Sequence, residues 1–411
     1  MDAEVIIIGG GAAGAMAGIH SGRLGNKTII LEPNGRIGKK LLITGKGRCN
    51  VTNNCSSEEL IRNIPRNSRF LYSAFSQFSS EDVMNFFEWS GVPLKTERGN
   101  RVFPVSDKSS DIVDAMEREL RSADVKIIPE KAEGLIIENG ICRGVKTSGK
   151  NYYSRSVLIA TGGKSYPQTG SRGGGYAIAE SAGHTVTKLE PALIPLVCEE
   201  KYCSDMMGLS LKNVNLSLYD GEKKIYGDIG EMLFTHFGIS GPLVLSASSH
   251  IEQITPGRYT VKIDLKPGLT DQKLDLRIQR DFSENINRIF GNSLSKLLPA
   301  KLIPVAVRLS GINGDRRINQ VTREERLKLV QLLKAFPVTV KAFRPIEEAI
   351  VTRGGVDVRE INPKTMESKL VKSLFFAGEI IDADGYTGGF NLQIAFSTAY
   401  LSLIHISEPT R

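Results

Sequence analysis

Three glycine turns, each directly behind a short apolar run, carry the residue types and spacings in this chain that could do chemistry. The first is Gly9-x-Gly11-x-x-Gly14, which follows Glu4 to Ile8 and leads into the alanine-rich run from Ala12 to Leu24. Gly9 permits a tight turn, Gly11 lets backbone approach a pyrophosphate, and Gly14 lets helix pack on strand. Ala12 and Ala13 open the helix, whose N-terminal N–H groups and positive dipole end suit an anion. Glu32 stands eighteen positions beyond Gly14, at the tip of the next strand, where its carboxylate can accept hydrogen bonds from a ribose. The other turns are Thr161-Gly162-Gly163, after Val157 to Ala160, and Gly378-Glu379, after Leu374 to Ala377. Ligands of open parallel sheets bind outside the carboxyl ends of the strands, and all three turns stand at such ends. The spacings predict a bound dinucleotide.

Only one complete fingerprint is present. A disulfide reductase of the glutathione-reductase type needs a second strand-GxGxxG-helix unit for a nicotinamide, so a tightly held flavin fits better. Hydride chemistry then belongs to the cofactor, and no acid–base triad need be written in the sequence. Three side chains are catalytic candidates, and each has a structural alternative. His236, in Leu233-Phe234-Thr235-His236-Phe237-Gly238, could exchange protons near neutral pH or serve as a satisfied structural histidine. Arg48 could hold an anionic substrate or balance a reduced flavin, or pair with a carboxylate or carbonyl. Cys49 could lie near the flavin or be a buried structural thiol, and its spacing to Cys55 is one residue longer than the CxxxxC of disulfide reductases. The five cysteines form no CxxC and the five histidines are scattered, so no metal is expected.

The elements that must position these residues follow from periodicity. Glu4 to Ile8, Ala12 to Leu24 stopped by Gly25, and Lys27 to Leu31 read as strand, helix, strand. Ser109 to Ser122 carries Ile112, Val113, Met116 and Leu120 at helical spacing, and Val125 to Ile128 follows as a strand. Leu135 to Glu138, Asn139-Gly140 and Ile141 to Lys146 predict a hairpin with a type I′ turn. From about Pro191 to Arg344 the character changes: strands over Asn215 to Tyr219, Lys224 to Tyr226 and Arg258 to Leu265, with a turn at Asp220-Gly221, then helices near Leu274 to Phe290 and Arg323 to Ala335. A glycine turn and helix, Gly388 to Ala399, close the pattern. The expected fold class is therefore α/β: a discontinuous Rossmann-like flavin-binding domain (1–190 and 345–411) interrupted by an inserted β-barrel-like plus helical domain (191–344).

Composition bounds the rest. With 411 residues, 41% hydrophobic and 24% charged, the chain fits neither a disordered segment nor a membrane bundle. No apolar run approaches the roughly 18 residues of a membrane span. The acidic start and early glycine turn are unlike a signal peptide, so a cytoplasmic protein is expected. The net charge of +8 is spread along the chain, which suits an anionic cofactor and gives little weight to nucleic acid. An odd, sparse set of cysteines points to reduced thiols.

The longest motif resembles a known family. Gly9 to Gly14 with Glu32, then Gly38-Lys39-Lys40-Leu41-Leu42-Ile43-Thr44-Gly45-Lys46-Gly47-Arg48-Cys49-Asn50-Val51-Thr52-Asn53, then Ala377-Gly378-Glu379 and Thr387-Gly388-Gly389-Phe390-Asn391-Leu392-Gln393, are similar to the BaiN/RdsA/aminoacetone oxidase-like family of NAD(P)/FAD-dependent oxidoreductases. Leu233 to Pro242 and Gly354 to Lys369 share the likeness, which covers about residues 3 to 400. It implies FAD, a two-layer flavin domain and an insert that covers the flavin. Carried over, Gly9, Gly11, Gly14 and Glu32 hold the ADP half, with Ala12, Ala13, Thr161 and Gly162 in the same turns. Lys40, Gly45 and Arg48 lie along the pyrophosphate and flavin, and Ala132 meets the adenine through backbone. Gly378 and Glu379 approach the ribityl and phosphate region, while Gly389, Asn391 and Leu392 bring a helix N-terminus to the flavin pyrimidine edge, where it favours the anionic reduced flavin. Gly174 stands where the pattern has aspartate and Lys46 where it has glycine. The tail after Tyr400, Leu403 to Arg411 above all, departs from the pattern and is expected to be non-native, with no function.

The leading expectation is an FAD enzyme reduced by diffusible NAD(P)H that passes hydride to a small organic substrate such as an activated C=C bond. An O₂-using oxidase of small amines or aminoketones is the alternative within enzymes, and an RNA- or tRNA-binding flavoprotein, motivated by the pI of about 9.1, the alternative from another class. Oligomeric state is not readable from the sequence.

Overall fold

The computed structural model describes residues 1–284 and 286–407. Contacts divide the chain into two compact units, Met1–Ala192 with Pro345–Arg411, and Leu193–Arg344.

The first unit is built on a five-stranded parallel sheet. From edge to edge it runs Leu374–Phe376, Ser156–Ile159, β1 (Val5–Ile8), β2 (Thr28–Leu31) and Lys126–Ile128. A parallel sheet covered on both faces needs near-continuous apolar strands, and Val-Ile-Ile-Ile, Thr-Ile-Ile-Leu and Ser-Val-Leu-Ile supply them. The strand period of two then divides these residues between two layers. Val5, Ile7 and Ile30 pack with α1 (Ala12–Arg23), with the helix Ser109–Ser122 and with the last helix. Ile6, Ile8, Ile29 and Leu31 pack on the other face, against the antiparallel strands Ala132–Glu138 and Ile141–Thr147. Burial of each such side chain contributes about 1.5–3 kcal/mol.

α1 ends as the sequence predicts. Leu24 caps it, Gly25 takes φ 84°, and the Asn26 N–H reaches back to the Ser21 carbonyl. The hairpin turn has φ 52° at Asn139 and 74° at Gly140, the left-handed pair that a type I′ turn requires.

The second unit contains a closed barrel in the order Leu196–Cys198, Gly238–Ser240, Lys223–Thr235, Ser210–Asp220, Tyr259–Asp264 and Phe336–Phe343. Its interior is filled by Leu216, Leu218, Phe234, Val261, Ile263 and Val338, and the helices Asp271–Ser283 and Arg323–Lys334 join the same core. Two predicted details shift. Asp220 pairs with Lys223, which moves the turn to Gly221-Glu222. The helix expected to reach Phe290 stops at Ser283, although Phe282, Ile286, Ile289 and Phe290 keep helical spacing, and Phe290 instead opens the 3-10 turn Phe290–Lys296.

The last helix, Phe390–Ser407, continues past the family-like residues. Leu401, Ser402 and Leu403 are buried in it, so the first part of the departing tail packs as helix, while residues 408–411 lie outside the described residues. Among the described residues no helix is long and apolar enough to cross a membrane.

Candidate functional site

The first glycine turn has no room for side chains where it meets the sheet. A Cβ on Gly14 would overlap the Gly9 carbonyl oxygen, and one on Gly9, where φ is 102°, would meet the Ala160 carbonyl oxygen at 2.7 Å. Gly11 is different: a Cβ there would meet nothing within 4 Å. The space before α1 is therefore open where a ligand would arrive. No side chain caps that helix and its first turn holds no acid, so its leading N–H groups are not satisfied by side chains. Glu32, 8% exposed, accepts the Gly10 N–H at 2.8 Å on Oε2 and the Asn34 N–H and side-chain amide at 2.9 and 2.7 Å on Oε1. These bonds fix a carboxylate that retains further lone-pair directions for ribose hydroxyls.

The other two turns converge on this one. Gly9 lies against Ala160 and Thr161, and a Cβ on Gly378 (φ 76°) would meet the Ala13 Cβ at 2.8 Å. Thr161 buries its Oγ1 without a hydrogen-bond partner. A buried hydroxyl left unpaired costs about 1–3 kcal/mol, so this atom keeps an unfilled hydrogen-bonding capacity beside the turns. Gly162 follows with φ 71°.

A fourth piece is the N-terminus of the last helix, held by residues from the long motif. Thr52 donates its hydroxyl to the Gln393 side-chain oxygen at 2.5 Å, and the Asn53 amide donates to the Gly388 carbonyl at 3.0 Å. Gly388 and Gly389 have φ 126° and 103°, and a Cβ on Gly389 would run into the Thr52 backbone. Asn391 spends its side chain on the Gly385-Tyr386 loop, accepting the Gly385 N–H at 2.8 Å and donating to both carbonyls. The backbone N–H groups of Asn391 and Leu392 fall in the first turn, where a helix supplies no partner. Thr52, Asn53 and Gln393 were given no role by the sequence, although all three stand inside its quoted motifs.

Lys40 and Glu379, both expected along the cofactor, meet each other. Lys40 Nζ lies 2.7 Å from Glu379 Oε2 and 2.7 Å from Ser165 Oγ. The segment from Gly45 to Cys49 is an unusual left-handed stretch, with φ 56°, 60° and 82° at Gly45, Lys46 and Gly47 and 58° at Cys49. Lys46 thus occupies a conformation that favours glycine.

Arg48 lies over the Phe103 ring at 4.0 Å and bonds Glu97 at 2.5 Å and Asp107 at 2.7 Å. The Glu97 hydrogen bond leads in raising its pKa further, so its charge is already paired. Cys49 is fully buried, which pushes its thiol up to about 12, and Cys55 is pushed up to about 12 by burial as well. Burial thus disfavours at both the thiolate that a nucleophile needs. Ala132 is buried at the start of its strand, paired with Thr147. His236 belongs to the second unit, exposed in the turn between Lys223–Thr235 and Gly238–Ser240 with its ring edge-on to Phe237.

The residues of the first unit fit a dinucleotide: an open Gly11, an unpartnered Thr161 hydroxyl, two helix N-termini with glycine approaches, and a fixed Glu32. Comparisons agree. A family described as HI0933-like protein Rossmann domain matches residues 3–403. A 3-dehydro-bile acid delta(4,6)-reductase of Clostridium scindens is 30% identical, covering 96% of this chain and 97% of its own. A ribosomal RNA dihydrouridine synthase of Haemophilus influenzae is 29% identical over 98% of each chain. Among solved structures, the 3-ketosteroid-delta4-(5alpha)-dehydrogenase of Rhodococcus jostii shares the fold, with TM-score 0.54, 13% identity, and 99% and 97% of the two chains covered.

Proposed function

We propose, from the premise that this chain belongs to the HI0933-like Rossmann family and is an FAD-dependent oxidoreductase, that it takes electrons from NAD(P)H and reduces an activated C=C bond of a small organic substrate. FAD, when bound, supplies the hydride chemistry. The chain supplies binding and orientation. Gly11 and the start of α1 would receive the diphosphate, Glu32 a ribose, and Thr161 a polar group of the cofactor. The observation that carries the reading is the pinned N-terminus of Phe390–Ser407. Thr52 and Asn53 fix a helix end whose first N–H groups are available to an electron-rich ring edge, and such a positive end favours a reduced, anionic flavin. The bile-acid reductase relative supports the substrate class, since its name describes removal of a C=C bond from a keto-substituted ring.

The test is an absorbance spectrum of purified protein before and after anaerobic NADH or NADPH. Flavin bands that bleach, and recover on adding a conjugated enone, support the reading. Bands that a pyridine nucleotide leaves unchanged while aminoacetone bleaches them would replace it with the oxidase alternative.

A second reading has its own observation. Contrary to the expectation from sequence, the surplus is not spread evenly: residues 193–344 hold 22 Lys and Arg against 16 Asp and Glu, so the second unit carries six of the chain's eight surplus positive charges. That concentration favours a polyanionic substrate such as RNA. Relatives named as ribosomal RNA dihydrouridine synthases fit the same chemistry, because dihydrouridine is uridine with one conjugated C=C bond saturated. Retention of rRNA with a steep salt dependence, together with RNA-dependent flavin reoxidation, would favour this substrate over a free small molecule.

A further inference from the structure

Glu379 sits in the turn after the edge strand Leu374–Phe376, and three other segments fill its carboxylate. Oε1 accepts the Thr352 N–H at 2.8 Å and the Ser165 hydroxyl at 3.0 Å, and Oε2 accepts from Lys40 at 2.7 Å. The Thr352 hydroxyl in turn accepts the Lys164 and Ser165 N–H groups at 2.7 and 3.2 Å. Gly163 makes the closure possible, since a Cβ there would meet Glu379 Oε1 at 2.8 Å. Lys40, Ser165 and Glu379 therefore form one clasp between segments that the sequence had placed separately beside the cofactor. A carboxylate beside an anionic diphosphate is unfavourable unless its charge is cancelled, and the side chains of Glu379 and Lys40 are only 21% and 24% exposed, so water screens that charge incompletely.

We propose that Lys40 is a charge-compensating positioning residue. It neutralises Glu379 through the Ser165 clasp, so that an anionic dinucleotide meets a neutral wall, and this compensation is its main contribution to cofactor binding. The proposal rests on the FAD reading and differs from direct contact between Lys40 and the diphosphate.

The experiment titrates FAD into apoprotein, following quenching of flavin fluorescence, for the unmodified chain, Lys40→Met, Glu379→Gln and the double variant, at low and high salt. Lys40→Met is expected to raise Kd about tenfold, Glu379→Gln to leave it within about threefold, and the double variant to return close to Glu379→Gln. The Lys40→Met deficit should shrink as salt rises, because it is a screened repulsion. Ser165→Ala, a gentler change, should raise Kd by about twofold to threefold and have no effect in the Glu379→Gln background, so the cycle is readable even if Lys40→Met does not fold. A double variant as weak as Lys40→Met, with an unmodified Kd that rises with salt, would overturn the proposal in favour of direct phosphate contact. Failure of the unmodified chain to take up FAD would instead overturn the cofactor reading itself.

Discussion

Thr52 and Gln393 are 341 positions apart in the chain, yet the Thr52 hydroxyl donates to the Gln393 amide oxygen at 2.5 Å in the buried interior. The same Gln393 donates through Nε2 to the Phe78 carbonyl at 3.0 Å and the Ser397 hydroxyl at 2.8 Å. Its amide is thus used at both ends, and the last helix can enter at one angle only. Thr52 closes the NVTN end of the long motif, so that motif works by aiming a helix N-terminus as much as by lining a ligand.

Thr52→Val keeps the shape and removes the donor. The Gln393 oxygen is then buried without its partner, which should cost about 1–3 kcal/mol in denaturant unfolding. Because the lost bond aims the helix, the variant should also lose part of the stabilisation that added FAD confers. Unfolding curves with and without FAD separate the two effects: an equal shift in both curves would leave Thr52 as a packing residue alone.

His20 should contribute to the acid sensitivity of the first unit. Its ring is enclosed by Phe78 and Tyr400 at 5.5 and 4.9 Å, Nε2 has no partner, and burial, followed by the nearby charge of Arg23, pushes its pKa down to about 4. The unfolded chain takes up this proton near pH 6.5, well before the folded chain does. The contribution of the neutral ring is therefore complete above pH 6.5 and is lost as pH falls towards 4, by ~3 kcal/mol. His20→Leu should flatten unfolding free energy across that window relative to the unmodified chain. An unchanged slope would assign acid sensitivity to other groups.

Cys49 should be chemically silent. With its thiol pushed up to about 12 by burial, a thiol reagent at pH 8 should leave it unlabelled in the native protein and reach it only on unfolding. Cys49→Ala should retain flavin reduction by a pyridine nucleotide. Loss of reduction with FAD still bound would restore the residue as a participant.

The sheet was legible because parallel strands carry their burial in composition. Val5 to Ile8, Val157 to Ile159 and Leu374 to Phe376 are apolar without alternation, and each ends in a glycine turn. The departure at Lys46 was legible as well: the residue that replaces an expected glycine has φ 60°. Pairings across long separations were not. Lys40 and Glu379 were both assigned to the cofactor by their motifs, but nothing in either motif says that a lysine and a glutamate 339 positions apart will bond each other. Arg48 shows the same limit, since Glu97 and Asp107 stand in a hairpin and a loop whose approach depends on tertiary packing. Where Gly221-Glu222 replaced the predicted turn, the two candidates differed by one residue of register, which local turn preference does not settle.

Gly11 and Gly14 separate ligand binding from folding within a single turn. Gly11 is the N-cap of α1 and Gly14 lies inside it, so helix preference alone favours alanine at Gly14 and disfavours it at Gly11, the reverse of what the space around each methyl dictates. At Gly14 the methyl overlaps the Gly9 carbonyl, so α1 must move away from β1 or the turn must open, and both break the contact between Gly9 and Ala160. Gly14→Ala should therefore lower the melting temperature of the apoprotein strongly, with loss of ~1–3 kcal/mol typical of overpacking. At Gly11 the methyl enters open space. Gly11→Ala should leave apoprotein melting nearly unchanged, because the native φ of −75° suits any residue and the reduced chain entropy offsets alanine's poorer N-cap preference. Its methyl would instead occupy the space through which backbone approaches a pyrophosphate, and FAD affinity should fall by tenfold or more, about 1.4 kcal/mol. Melting curves of both apoproteins, set beside FAD titrations of both, decide the matter. If Gly11→Ala binds FAD as tightly as the unmodified chain, the diphosphate does not pass over this turn, and the fingerprint serves packing alone.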